Sequence, residues 1–276
     1  MLARPHITQP MQPEHDRSGR DENDAAANEH GRSVRTWWDI GSAPVAPELL
    51  SIIVPAFNEA RTVEAVLRRL AAEDLGGPVE VIVVDDGSTD GTADLAAALE
   101  LEHVRVLRLP SNRGKGAAVR AGIAETRGAI VVIQDADLEY DPSDLPRLLD
   151  PLRKGVADAV YGTRLRGGEP QRAHLFWHYA GNRFLSLLTN VLFNTTISDM
   201  EVGYKAFRGD LIRSLELRSD DFAFEAEVTA KILRRGVRLY EVPIAYYGRT
   251  YAEGKKIDWR DGVRAVIALM RFRFLD

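Results

Sequence analysis

At 276 residues, with 45% hydrophobic and 28% charged side chains, the chain is long enough to bury a sizeable core and has the composition of a soluble globular protein. A formal net charge of −5 argues against a general nucleic-acid binder, which needs a basic surface to displace phosphate counterions. With no cysteine present, disulfides, thiolate nucleophiles and thiolate-bound zinc are excluded.

Residues 1–46 are rich in Pro, Asp, Glu, Asn, Gln, Arg and His, with few aliphatics, and read as a disordered tail. Trp37 and Trp38 interrupt it and are expected to pack onto the folded body. The start of the chain has no apolar signal-peptide core, and no run reaches eighteen apolar residues. Neither secretion nor a transmembrane span is therefore expected, and a cytoplasmic location is.

Order should begin near Leu49, opening a domain over 47–255. Leu50-Ser51-Ile52-Ile53-Val54-Pro55 reads as a strand that Pro55 closes by withholding a ladder donor. A loop carrying Asn58 and Glu59 precedes a helix over about 60–73, with Val63, Val66, Leu67 and Leu70 on one face. A second strand, apolar except for Glu80, runs into Asp85-Asp86-Gly87-Ser88-Thr89-Asp90, where Ser88, Thr89 and Asp90 suit the N-cap of a helix over about 92–101. A third strand over 104–109 leads to Asn112-Arg113-Gly114-Lys115-Gly116 and a helix to about Thr126. The fourth strand, from Ala129, is apolar enough to be buried on both faces and ends in Asp135, Asp137 and Glu139. Strands alternating with helices of this length predict an α/β, Rossmann-like, mainly parallel sheet flanked by helices. Ligands of such sheets bind beyond the carboxyl ends of the strands, so the polar clusters there should line one cleft.

Further along, 143–154 reads as a helix and 157–161 as a strand running into Gly162-Thr163-Arg164. The segment 172–193 carries apolar residues around more than one face, broken at Gly181-Asn182-Arg183, and predicts helices that are buried or lie against a membrane. A strand over 200–207, a helix over 222–235 and a strand over 237–242 follow. The final stretch, 256–276, predicts an amphipathic helix whose Arg260, Arg264, Arg271 and Arg273 suit an anionic bilayer surface.

On extended backbone, Asp135, Asp137 and Glu139 would point to the same side, because strand side chains alternate. Three converging carboxylates suit a hard divalent cation, Mg2+ or Mn2+, completed by water and substrate phosphate. The residues of Ile53-Val54-Pro55-Ala56-Phe57-Asn58-Glu59, the Asp85-Asp86 turn, the loop at 112–116 and the Asp135-Ala136-Asp137 cluster, a DXD motif, occur in an order and spacing that resembles the inverting family 2 glycosyltransferases with the GT-A fold. Downstream, Tyr161-Gly162-Thr163-Arg164, Ser198-Asp199-Met200-Glu201-Val202-Gly203-Tyr204-Lys205-Ala206-Phe207 and Arg249-Thr250-Tyr251-Ala252-Glu253-Gly254-Lys255 resemble the polyprenyl-phosphate sugar synthases, whose familiar members make dolichyl-phosphate mannose and glucose.

By position, the resemblance implies that Pro55, Phe57, Glu59 and Asp86 embrace the nucleotide. It further implies that Asp135, Ala136 and Asp137 meet metal and sugar-nucleotide diphosphate, with Glu139 a further metal ligand where relatives often carry Gln. Arg164, Arg249 and Lys255 are the implied phosphate binders, with Lys115 and Lys205 as further candidates. The expected reaction moves a hexose, from GDP-mannose or UDP-glucose, to a polyprenyl monophosphate with inversion, the anionic acceptor needing no general base. Many such enzymes continue into transmembrane helices, whereas this sequence runs to Asp276. Contact with the cytoplasmic face of the membrane is therefore expected to be peripheral, through 175–193 and the basic helix, or through a membrane-embedded partner protein. A soluble family 2 enzyme acting on a sugar or other hydroxyl stands as an alternative, with Asp199 or Glu225 as base. A peripheral membrane scaffold is a second alternative. A Rossmann oxidoreductase is disfavoured, because no G-x-G-x-x-G follows the first strand. His103, His174 and His178 are expected to be structural.

Overall fold

The computed structural model describes residues 48–173, 176–249 and 259–275. Residues 1–47, with Trp37 and Trp38, His174, and residues 250–258, with Lys255, lie outside them. Four strands, β1 (Leu50–Ala56), β2 (Val79–Asp85), β3 (Val104–Arg108) and β4 (Ile130–Ile133), pair in parallel around a central β1. β1, β2 and β4 are almost wholly buried, as their Val- and Ile-rich runs require. Glu80 interrupts β2 without penalty: its carboxylate accepts Ser51 Oγ–H at 2.5 Å and the Arg127 backbone N–H at 2.7 Å. Both partners sit at the sheet end opposite the ligand side.

Helices α1 (Val63–Ala72), α2 (Thr92–Ala98) and α3 (Lys115–Glu125) connect these strands. α1 buries Val63, Val66, Leu67 and Leu70, worth roughly 6–12 kcal/mol of transfer free energy before chain entropy is subtracted. α2 starts from Gly91 with φ 89°, so neither Ser88, Thr89 nor Asp90 is its N-cap. Asp90 instead accepts the backbone N–H groups of Ala60 and Thr92, tying the loops after β1 and β2 together. β1 runs through Pro55 to Ala56, one residue beyond its expected stop. The missing N–H is tolerated because β4 no longer lies alongside β1 after Ile53.

The second half adds α4 (Leu145–Arg153), β5 (Ala159–Thr163), α5 (Phe176–Phe193), β6 (Lys205–Arg208), α6 (Gly209–Arg213), α7 (Ala223–Arg234), β7 (Leu239–Pro243) and α8 (Trp259–Phe274). The sheet order is β3-β2-β1-β4-β6-β5-β7, with β6 antiparallel to both neighbours and β5 parallel to β7. The sheet is mainly parallel, as expected. The expected strand over 200–207 shrinks to β6, because the chain before Lys205 turns beneath the cleft instead of extending. α5 passes unbroken through Gly181, whose missing Cβ faces open space, so the expected interruption there does not occur.

Beside the main core, a smaller cluster joins Leu185 of α5, Ala226 and Ala230 of α7, and Ala265, Leu269 and Phe272 of α8. The small alanines let α7 and α8 approach closely. This leaves the outer side of α5 and α8 apolar and uncovered: Trp177 is 81% exposed, and Phe184, Leu187, Val191 and Ile267 each more than half. No helix among the described residues is long and apolar enough to cross a membrane.

Candidate active site

β4 stops at Ile133 and the backbone turns, with Leu138 at φ 61°. The three acids after β4 therefore do not converge by strand alternation; the turn itself gathers them. They meet the loops after β1, β2 and β5 in a cavity of about 430 Å³ at the carboxyl side of the sheet. Pro55, Phe57, Glu59, Asp86, Asp135, Ala136, Asp137, Glu139, Arg164 and Arg249 all line it.

Two cations organise the acids. Arg249 donates to Glu59 at 3.0 and 3.1 Å and to Asp137 at 3.1 Å, and its Nε lies 3.6 Å from Glu139. Glu139 is further held by the Arg249 backbone N–H at 2.8 Å and by Tyr246 O–H at 2.7 Å. Lys115, at the first turn of α3, lies 2.8 Å from Asp135 and 3.1 Å from Glu225. Burial opposes the Lys115 charge, but those two carboxylates outweigh it and raise its pKa. The loop before Lys115 is fixed by Asp86, which accepts the N–H groups of Arg113 and Gly114 at 2.9 and 2.7 Å. Gly114 has φ 106°, and a Cβ there would collide with the Asp220 carbonyl, so this anchor needs glycine.

Arg164 forms a fork-to-fork pair with Asp199, two contacts of 2.7 Å, and its guanidinium lies 5.0 Å from the centre of the Tyr246 ring. Burial pushes the Asp199 carboxyl up, but Arg164 wins and holds it below the usual range. Glu225 is likewise kept anionic against burial by Lys205 and Lys115. Both acids considered as bases for a hydroxyl acceptor are thus locked in ion pairs. Lys205 itself is completely buried, donating to Glu225 and to the Met200 and Val202 carbonyls, so it faces no substrate.

Asp137 is strongly perturbed: burial, then the charges of Asp135 and Glu139, lift its pKa to about 7. A divalent cation between Asp135 and Asp137 would relieve that repulsion, and their carboxylate oxygens are the hard donors Mg2+ and Mn2+ take. Among the described residues no group of three or more His, Cys, Asp or Glu is placed to hold a metal ion, so the expected three-carboxylate set of Asp135, Asp137 and Glu139 is not assembled in this structure. Glu139, with both oxygens engaged by Tyr246 and Arg249, is the least available of the three acids.

The cleft also holds residues that sequence reasoning passed over: Tyr140, Glu201, Phe222, Tyr246, and His178 and Asn182 from α5. His178 was expected to be structural, yet it lines the cavity. Its i, i+4 spacing to Asn182 was the one readable signal, since it places both on one helix face.

Residues 51–215 match the sequence profile of Glycosyl transferase family 2. The chain is 35% identical to an undecaprenyl-phosphate mannosyltransferase of Micrococcus luteus, over 74% of this chain and 85% of that one. It is 30% identical to a polyprenol monophosphomannose synthase of Mycolicibacterium smegmatis, over 74% and 79% respectively. Among solved structures, glucosyl-3-phosphoglycerate synthase from Mycobacterium tuberculosis, in complex with Mn2+, UDP-glucose and phosphoglyceric acid, superimposes with a TM-score of 0.66 at 25% identity, covering 88% of this chain and 86% of that one. A GT-A sheet, an acid-lined cleft at its carboxyl edge and these matches place the chain in glycosyltransferase family 2, as a transferase and not a scaffold.

Proposed function

We propose that this enzyme transfers a hexose from a nucleoside diphosphate sugar, GDP-mannose or UDP-glucose, to a polyprenyl monophosphate, with inversion and with help from Mg2+ or Mn2+. The observation that carries the reading is the meeting of Asp135 and Asp137 with Lys115, Arg164 and Arg249 in one cavity. Two anionic substrates must be brought together there, and acids alone would repel both.

In this reading Pro55, Phe57, Glu59 and Asp86 hold the nucleotide, while Asp135, Ala136 and Asp137 face the diphosphate. Asp135 and Asp137, with Glu139 as the further candidate, would hold a divalent ion, whose chemistry would be charge neutralisation at the leaving diphosphate. Arg249 moves from its carboxylate partners to donor phosphate, and Lys255 joins it. Arg164, made rigid by Asp199 and Tyr246, presents its remaining donors to the acceptor phosphate. That phosphate is an anion at neutral pH and attacks the anomeric carbon directly, so positioning and charge neutralisation supply most of the rate. A hydroxyl acceptor would need a base, and Asp199 and Glu225 are both held in ion pairs.

The exposed apolar side of α5 supports an approach of the acceptor's lipid tail from that direction. α5 places His178 and Asn182 at the cleft and Trp177, Phe184 and Leu187 outside, next to the arginine-bearing α8. We place the enzyme at the cytoplasmic membrane face through that surface, alone or beside a membrane-embedded partner protein. The test is transfer of radiolabelled sugar from a panel of nucleotide sugars, with Mn2+, into a prenyl monophosphate. Label should enter an organic-extractable product with inverted anomeric configuration. Label appearing only in water-soluble glycosides would refute the acceptor. Sedimentation with anionic vesicles, abolished in a Trp177→Ser, Leu187→Ser double variant, tests the membrane face.

A further inference from the structure

Among the described residues, every carboxylate lining the cleft but one is held by a cation or a backbone donor. Asp135 and Glu225 share Lys115, Glu59, Asp137 and Glu139 share Arg249, and Asp86 accepts two backbone N–H groups. The exception is Glu201. It lines the cleft from the turn before β6, makes no hydrogen bond or ion pair among the described residues, and has its Oε1 buried without a partner. Glu201 as a residue is half-buried, but a buried carboxylate oxygen left so is costly unless a ligand supplies its partner.

We propose that Glu201 is a catalytic residue that holds the acceptor phosphate through a single shared proton, and keeps that proton when the phosphate oxygen attacks. The inference rests on the prenyl monophosphate reading of the acceptor given above. Two bare anions in contact repel, so a carboxylate and a phosphate monoester can meet only if one carries a proton. During transfer the phosphate oxygen's electron pair forms the bond to the anomeric carbon, and the bond to the nucleoside diphosphate breaks with its pair leaving on that group. The proton stays on the Glu201 carboxyl. The product, a phosphodiester with one non-titrating charge, can no longer hold it, and Glu201 releases it to water as product leaves.

The surroundings support this. Burial, then Glu225, raises the Glu201 pKa to about 7, against the opposing charges of Lys205 and Arg164, with Asp199 adding to the rise. Lys115 from α3 and His178 from α5 face the same cavity. Arg164, the proposed acceptor-phosphate binder, is among the charges Glu201 feels.

The experiment measures kcat/KM for a short-chain prenyl monophosphate, at saturating donor and Mn2+, from about pH 5.5 to 9. The wild type should peak between the second ionisation of the free phosphate, about 6, and that of Glu201, about 7, falling on both sides. Glu201→Gln donates an amide N–H at every pH and should lose the alkaline fall while keeping the acid limb. Glu201→Leu, which has no polar head, should raise acceptor KM at least ~10-fold, the loss expected for one good hydrogen bond to a charged group, and leave donor KM and Tm unchanged. An alkaline limb retained in Glu201→Gln, or an acceptor KM unmoved in Glu201→Leu, overturns the assignment. A wild type that does not use prenyl monophosphate at all overturns the acceptor reading along with it.

Discussion

Gly203→Ala is the sharpest probe of the acid pair, because it changes one methyl group and no charge. Gly203 lies in the turn before β6, its N–H donating to Tyr140 O–H at 3.0 Å. A Cβ at this position would overlap Asp135 Oδ2, far inside van der Waals contact, and would lie 2.9 Å from Lys115 Nζ. The Asp135 carboxylate must then retreat by about 1 Å, a misplacement that costs on the order of 10²-fold in rate, or about 2.7 kcal/mol in the barrier. The loss should fall on kcat for sugar transfer and on Mn2+ affinity. Folding should be spared, since the cleft side of the turn is open. Initial-rate transfer assays across Mn2+ concentrations, with a thermal melt as control, measure both effects. A Gly203→Ala enzyme within twofold of wild type would show that the exact position of Asp135 does not matter to the reaction.

Two further outcomes follow from the geometry. Asp137 titrates near 7 in the folded chain against a usual 3.8, so the stability its protonated form contributes is complete below about 4 and is lost as pH rises through 7. Bound Mn2+ should therefore raise Tm more at pH 8 than at pH 5.5, and an equal rise at both would contradict the role given to Asp137. Asp199→Asn strands the buried Arg164 guanidinium without its carboxylate and should cost roughly 3–5 kcal/mol in denaturant unfolding. A change below about 1 kcal/mol would mean that water reaches Arg164.

The first half of the fold was legible because β1, β2 and β4 are buried on both faces and announce themselves as Val/Ile runs, each ending in polar residues. The cleft was legible for the same reason, since the loops after those strands must share one edge of the sheet. The resemblance to family 2 enzymes added Arg164 and Arg249, which periodicity alone would not have singled out. What stayed hidden was set by tertiary contacts. The turn of 200–204 looks like strand from its apolar residues, but Met200 packs with α5 and α7 while Val202 and Tyr204 join the sheet core. Lys205 looks like a phosphate ligand until its burial against Glu225 is seen. His178 reads as an ordinary helical histidine, and only the approach of α5 to the sheet edge brings it to the cleft. Glu201 lies within the stretch from Ser198 to Phe207, yet nothing in the sequence distinguishes it from the paired acids around it.

In the proposed reaction Asp135 and Asp137 grip a divalent ion and, through it, the donor diphosphate. Calorimetric titration of UDP and GDP into the wild type and Asp137→Asn, each with Mn2+ and with EDTA, tests it most directly. Tight binding of one nucleotide to the wild type with Mn2+, lost with EDTA and lost in a variant that melts like the wild type, is the predicted result. Nucleotide binding that is indifferent to the ion, or undiminished in Asp137→Asn, would contradict it.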